Sequence, residues 1–303
     1  MQYAPIVLFT YNRADTTRVT LEALMKNPEC KDSDLFIFSD AAKTEKAIEG
    51  VDAVRRLLAS LDVSKFHNVK IVYQEENQGL AKSIINGVTA VLEKYDRVIV
   101  LEDDCEVSPY YLNYINKALE YYKDSKNIGS ITGFMPNLET TCENDVCALP
   151  RSCSYGWATW KKVWECVNFF MPEYNQWRKD KLFIRQINRC GNDRMCRLIK
   201  VMRGKEKQSW SVRFGAYLVS RNLLTIYPKY TYLKNNGFIG GGEHSSGSID
   251  DRMQAGYYQA IREPVFIDQF SKEKNIERQF RRIYGGNILQ RLKKELYILF
   301  FNK

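Results

Sequence analysis

No two cysteines in this chain are spaced as a CxxC pair, and that weakens any case for a structural zinc site. No apolar run is long enough to span a bilayer. The opening MQYAPIVLFTYNR has no basic stretch followed by an apolar segment and a small-residue cleavage site, so it reads as a first core strand and not as a secretory signal. With those features missing, the eight cysteines are expected to be free thiols in a cytoplasmic protein. Disulfides among Cys142, Cys147 and Cys153 are the alternative. Histidine is nearly absent, and His67 sits in an unpatterned polar stretch that reads as surface. No DNA- or RNA-binding motif appears, so nucleic acid is not an expected partner. The net charge of +9 then points to an acidic membrane surface or a phosphate-bearing substrate. There is no linker and no internal repeat.

The composition is that of an ordinary globular protein, and 303 residues are enough for one large α/β domain. In the first half, strands alternate with helices. IVLFTYN (6–12), DLFIFSD (34–40), VKIVYQE (69–75) and DRVIVLEDD (96–104) read as strands. ADTTRVTLEALMKN follows the first and is expected to be capped by Asp15 or Thr16, with Val19, Leu21 and Leu24 on its apolar side. AIEGVDAVRRLLASL and LAKSIINGVTAVLEKY read as the next helices. SPYYLNYINKALEYYK reads as another, with Ser108 as N-cap and Pro109 at its first position. The alternation implies a mostly parallel sheet flanked by helices, with ligands bound beyond the carboxyl ends of the strands. The second half is less regular. IGSITGF and LLTIYPKYTYL have strand character, and NNGFIGGGEHSSGS is a glycine-rich polar loop.

Four polar clusters fall at strand ends: Tyr11-Asn12-Arg13 just after Thr10, Asp40, Asn77-Gln78-Gly79, and Glu102-Asp103-Asp104. Three adjacent carboxylates repel one another, and at the end of a buried strand they need a cation or strong hydrogen bonds. Hard oxygen ligands select Mg²⁺ or Mn²⁺, which commonly bridge phosphate oxygens. The plainer reading is an acidic turn capping the next helix. Gly79, followed by Lys82, either lets backbone and a helix N-terminus approach a phosphate or forms a simple turn capped by Asn77.

LFTYNR, FSD, EENQGLAKSIINGV and VLEDDCEVSPYYLNYI together resemble the nucleotide-sugar-binding half of GT-A (Rossmann-like) glycosyltransferases. The resemblance is to the branch that includes N-acetylglucosaminyltransferase I and bacterial polysaccharide enzymes of the family 2 type, and it covers roughly residues 4–245. It implies a single GT-A domain over 1–270, with a nucleotide-sugar-binding half (1–135) and an acceptor-side half (136–270). A basic C-terminal helical extension would occupy 271–303. It implies that Arg13 reaches the donor nucleotide or diphosphate, that Asp40 contacts the base or ribose, and that Asp104 is the direct metal ligand. Glu102 and Asp103 would then hold the ribose, the sugar or metal-bound waters. Gly156 and Trp157, in SYGWATW, resemble the segment near the donor sugar and acceptor, although Trp157 suits a core equally; Trp160 and Trp164, at helical spacing, read as core. The loop from Asn235 to His244 resembles one that closes over the diphosphate, with His244 on metal or phosphate.

The resemblance breaks at the catalytic base. Where the N-acetylglucosaminyltransferase I branch carries an Asp after a Trp, this chain has Ser211 after Trp210, and serine is no general base at neutral pH without help. Glu243 and Asp193 are the other candidates. The expected function is metal-dependent, inverting transfer of a sugar from a nucleotide-sugar donor to a glycan or lipid-linked acceptor in surface-polysaccharide synthesis. One rival is a sugar nucleotidyltransferase, opposed by the absence of glycine from LFTYNRADTT; the other is an inactive carbohydrate-binding protein of the same fold. At the C-terminus, Ile288, Leu292, Leu296 and Leu299 recur at helical spacing among Arg291, Lys293 and Lys294. Such a helix can lie on the anionic inner face of the cytoplasmic membrane, pack on the domain, or form a dimer contact.

Overall fold

The computed structural model describes residues 3–205, 209–238, 264–271 and 273–301. Strand β1 (Ile6–Thr10) leads into helix α1 (Ala14–Leu24); β2 (Asp34–Ser39), α2 (Glu45–Ala59), β3 (Asn68–Tyr73), α3 (Leu80–Leu92) and β4 (Arg97–Glu102) continue the alternation. Then come β5 (Cys105–Val107), α4 (Tyr111–Tyr121), β6 (Ile128–Thr132), β7 (Val146–Leu149), β8 (Trp157–Trp160) and the one-turn helices α5 (Lys161–Trp164) and α6 (Tyr174–Trp177). Helices α7 (Lys181–Ile187), α8 (Arg194–Met202) and α9 (Trp210–Ser220) precede β9 (Leu224–Pro228) and β10 (Leu233–Asn235). Helices α10 (Lys274–Gly285) and α11 (Ile288–Phe301) end the chain.

The large sheet has eight strands in the order β3-β2-β1-β4-β8-β6-β9-β7. Strands β3, β2, β1 and β4 are parallel, as right-handed strand–helix–strand units require, while β7 and β8 run antiparallel to their neighbours. This is the mostly parallel α/β sheet flanked by helices that the alternation of strands and helices implies. Every residue of β1 is buried, as its unbroken apolar run demands. Beside the large sheet, β5 pairs antiparallel with β10 and draws the start of the glycine-rich loop toward the acidic turn after β4.

Several local expectations shift. Helix α1 starts at Ala14, and Arg13 sits at its N-cap without a side-chain cap. Asp15 and Thr16 therefore lie inside the helix. The buried face is Thr17, Thr20, Leu21, Ala23 and Leu24, with Val19 exposed. Helix α4 begins at Tyr111, two residues after Pro109, because Ser108 and Pro109 form the preceding turn. Trp160 is a strand residue and not a helical partner of Trp164, although both are buried as expected. The eight cysteines are free thiols. No helix among the described residues is long and apolar enough to cross a membrane.

The C-terminal helices pack into the domain. Ile276 and Phe280 of α10 bury themselves with Tyr227 of β9 and Cys190, while Ile298 of α11 completes a second cluster with Leu198, Ile199 and Val212 of α8 and α9. Near this junction Arg151 makes two hydrogen bonds to Asp193, at 2.8 and 3.0 Å, and its guanidinium lies 3.7 Å from the centre of the Tyr284 ring. Burial pushes the Asp193 carboxyl up, but Arg151, with Arg194 and Arg197 beyond it, more than offsets this and holds it down at about 2. Asp193 is thus a committed structural anion and not a catalytic base. A carboxyl depressed in the folded state contributes stability above the ordinary Asp range and loses it as pH falls toward 2. Asp193→Asn leaves a buried arginine unpaired, so it should cost about 3 kcal/mol at pH 7. In urea unfolding followed by circular dichroism, the gap between variant and wild type should shrink as the pH is lowered from 4 to 2; a pH-independent gap would contradict this.

Candidate active site

Parallel pairing of β1 with β4 puts Phe9 opposite Glu102, so the residues that follow each strand emerge side by side. Arg13 accordingly reaches Asp103 and Asp104, hydrogen-bonding the carboxylates of both, with 2.9 Å to Asp104 Oδ2. The acidic turn is fixed from below by Thr20, whose hydroxyl donates to the Asp103 carbonyl at 3.0 Å. Burial drives the Asp103 carboxyl up to about 6 despite the opposing pull of Arg13, and the neighbouring Asp104 adds to the rise. Asp103 Oδ2 is buried and has no hydrogen-bond partner.

Beyond β2, Asp40 organises a second wall. Its Oδ1 accepts the N–H groups of Ala41 (2.9 Å) and Gln78 (2.8 Å), and its Oδ2 accepts Gly79 N–H (2.9 Å) and the Asn77 side-chain amide (3.2 Å). Asn77 also donates to the Ala41 carbonyl at 2.7 Å. Asn77 is therefore a tie between two strand ends and not the cap of α3. That cap is Gly79, at φ +70, which leaves the first turn of α3 without a side-chain cap and turned to the cleft. The third wall comes from the second half of the chain. Trp210 packs on fully buried Trp157, ring centres 4.8 Å apart, and this fixes the start of α9 so that Ser209 and Ser211 line the cleft. From the β10 side, Asn236 N–H donates to the Asp104 carbonyl at 2.8 Å. Gly237 then lies so close that a Cβ there would come within 2.4 Å of Asp104 Oδ2.

These walls enclose a cleft of about 480 Å³, within the usual range for a small-molecule site. Thr10, Tyr11, Asn12, Arg13, Asp40, Asn77, Gly79, Glu102, Asp103, Asp104 and Ser211 all line it. Four expected residues do not. Lys82 points outward from α3, one residue short of Ser83, which does face the cleft. Trp157 is wholly buried against Trp164, Trp210 and Phe214, so no indole face is left for a sugar. Gly156, at φ +49, is a packing glycine: a Cβ would meet Leu233 at 2.2 Å. Asp193 is spent on Arg151. Glu243 and His244 lie outside the described residues. Lys43, Ser154, Tyr155 and Arg197 also line the cleft. Ser154 and Tyr155 open the SYGWATW segment, so the resemblance points to the right stretch but to its later residues. Lys43 and Arg197 carry no local cue, because each reaches the cleft from an element whose position depends on the tertiary fold.

The donor set suits a hard divalent cation. It is carboxylate oxygen, with one buried oxygen of Asp103 unpartnered and Asp104 beside it. No group of three or more His, Cys, Asp or Glu side chains that could hold a metal ion occurs among the described residues. Among the described residues, the cleft carboxylates are Asp40, Glu102, Asp103 and Asp104, all at strand ends; the α9 wall offers hydroxyls.

The Asp40 latch makes a direct prediction. A charge-assisted hydrogen bond contributes about 2 kcal/mol, so Asp40→Ala should speed hydrogen exchange at the Gln78 and Gly79 amides by roughly thirtyfold. Unchanged exchange would mean that another contact holds the turn.

The family model for glycosyl transferase family 2 matches residues 6–202, from the start of β1 to the end of α8. Among curated proteins no match is found. Solved structures with a similar course include a mannosyltransferase from Pyrobaculum calidifontis in complex with GDP-Man and Mn²⁺, at 16% identity and a TM-score of 0.37, covering 54% of this chain and 46% of that one. Residues 1–349 of TarS from S. aureus align at 11% identity and a TM-score of 0.43, covering 77% of this chain and 60% of that one. This chain thus spans about half the length of the first and three fifths of the second. The family match covers the first eight strands of the chain and the acidic turn between β4 and β5, and by it the chain belongs to glycosyl transferase family 2, a glycosyltransferase of GT-A fold.

Proposed function

We propose that this glycosyltransferase is metal-dependent and inverting, and that it takes a nucleotide-sugar donor and a glycan or lipid-linked acceptor in surface-polysaccharide synthesis. The observation that carries the reading is the pairing of Arg13 with Asp103 and Asp104 at the mouth of a cleft built on the carboxyl ends of β1, β2 and β4. Tyr11, Asn12 and the turn latched by Asp40 would hold the nucleoside. Arg13 and the uncapped start of α3 would face the diphosphate, the place where helix N–H groups and a guanidinium favour anions. Asp104 would hold Mn²⁺ or Mg²⁺, with Asp103 and Glu102 orienting its waters or the ribose. The cation, when bound, neutralises the charge that develops on the leaving diphosphate.

In the transfer itself, the acceptor hydroxyl oxygen forms a bond to the anomeric carbon as the bond from that carbon to the diphosphate oxygen breaks. The hydroxyl proton is lost to a base, and the products are the glycoside and a nucleoside diphosphate. Positioning of the two reactants in one cleft supplies much of the acceleration. Ser211, at the rim, can hydrogen-bond a hydroxyl but cannot itself take the proton at neutral pH.

Helix α11 supports a peripheral place on an anionic membrane. Ile288, Leu289, Leu292, Leu296, Leu299 and Phe300 are exposed. At 3.6 residues per turn they fall within an arc of about 120°. The opposite side of the helix carries Ile298 into the domain. Deleting the helix would therefore open a hydrophobic cluster, whereas polar substitutions on the exposed arc would not. Leu292→Gln with Leu296→Gln and Leu299→Gln should weaken binding to vesicles containing anionic lipid at least tenfold, with little change in melting temperature. Equal vesicle binding would remove the membrane from this account.

The donor reading is tested by Asp104→Ala. The variant should fold and should lose Mn²⁺-dependent hydrolysis of a nucleotide-sugar by at least a hundredfold. Retained metal-dependent hydrolysis in the folded variant would contradict the assignment. No metal-dependent turnover of any nucleotide-sugar by the wild type would favour an inactive sugar-binding protein.

A further inference from the structure

A second cavity, of about 620 Å³, lies between α8 and α11. Its charged lining is almost wholly basic: Arg197, Lys200, Arg203 and Lys205 from α8 and the turn after it, and Lys294 from α11. The single carboxylate in its wall, Asp193, has both oxygens on Arg151. Lys200, Arg203 and Lys205 make no ion pair among the described residues. Instead, aromatic rings of α11 hold two of the cations in place. The Arg203 guanidinium stands 4.2 Å from the centre of the Phe301 ring, and the Lys200 ammonium 5.8 Å from that of Tyr297. Such contacts orient a cation without cancelling its charge.

Five like charges around one cavity repel one another, and an anion of two or more charges would relieve that repulsion. Guanidinium groups suit the paired oxygens of a phosphate, and ammonium groups serve it as point charges. Arg197 also lines the donor cleft, so the two cavities share a wall. We propose that the basic cavity holds the phosphate or diphosphate group of the acceptor, so that the acceptor's hydroxyl is presented across Arg197 to the donor sugar. This rests on the donor-cleft reading above and adds to it the chemical class of the acceptor: a phosphate-bearing molecule. Lys294, Tyr297 and Phe301 lie on the side of α11 away from its exposed apolar arc, which begins at Phe300, its ring centre 4.9 Å from that of Phe301. A hydrocarbon chain attached to such a phosphate would pass that edge of the helix to meet the arc.

The test is calorimetric titration of the full chain with inorganic pyrophosphate in EDTA. Without a metal, the carboxylates of the donor cleft repel a bare polyanion, so this condition reports the basic cavity. The wild type should bind one equivalent, and Lys200→Glu with Arg203→Glu should weaken binding at least tenfold. Lys200→Gln with Arg203→Gln gives the same comparison should charge reversal disturb folding. Mn²⁺-dependent binding of a nucleoside diphosphate should survive in both variants, because neither side chain lines the donor cleft. Farnesyl diphosphate separates the two sources of the phosphate. Tighter binding than pyrophosphate, with the gain lost in Leu292→Gln/Leu296→Gln, means a lipid-linked acceptor; equal binding means a soluble phosphate-bearing one. A wild type that ignores pyrophosphate, or variants that bind it as the wild type does, would overturn the proposal. Cavity-dependent pyrophosphate binding in a protein that fails to bind any nucleoside diphosphate with Mn²⁺ would overturn the donor reading and leave an anion site.

Discussion

The burial of Asp103 beside Asp104 at the end of a central strand is the constraint on which the rest of the site depends. Two adjacent carboxylates removed from water are tolerable when a cation faces them, and here that cation is Arg13. Arg13 can reach them because β1 and β4 are parallel neighbours and because α1 begins directly after it, with its carbonyl accepting from Thr17 N–H. The same pairing leaves one oxygen of Asp103 unsatisfied. An orphaned, buried carboxylate oxygen at the mouth of a cleft is costly in a resting protein, and it is what a metal–diphosphate pair would satisfy.

Around that centre the fold uses two kinds of support. Strand register fixes the ends of β1, β2 and β4, and hydrogen bonds from Asp40 and Asn77 fix the turn before α3. Aromatic packing fixes the other side. Trp157, Trp164, Trp210 and Phe214 form one packed aromatic group, with Trp157 stacked on Trp210 and the other pairs tilted, and the start of α9 follows from it. The tryptophan that resembles a sugar contact in the sequence therefore acts one step removed, by holding Ser209 and Ser211 at the rim.

How much of this was legible in the sequence follows the same division. The first half was readable because buried parallel strands are unbroken apolar runs, and polar residues stand out where such runs stop. That placed Arg13, Asp40, Asn77, Gly79 and the acidic triplet in one cleft. Where several roles suited one residue, the sequence did not decide. Trp157 suited sugar and core equally, Gly156 read as close approach to a ligand where the fold uses it for close packing, and Asp193 gave no sign that Arg151, far away in the chain, would claim it. The basic cavity was invisible for a related reason. Its cations are spread over α8 and α11, and the resulting charge density exists only once α11 is docked.

Donor binding as proposed depends on a metal held between Asp104 and the donor diphosphate. Crystals grown with Mn²⁺ and a nucleoside diphosphate would show this directly through the anomalous scattering of manganese. One strong peak is expected, in contact with the Asp104 carboxylate and with oxygens of both phosphates. A nucleotide seated in the cleft with no manganese at Asp104 would contradict it.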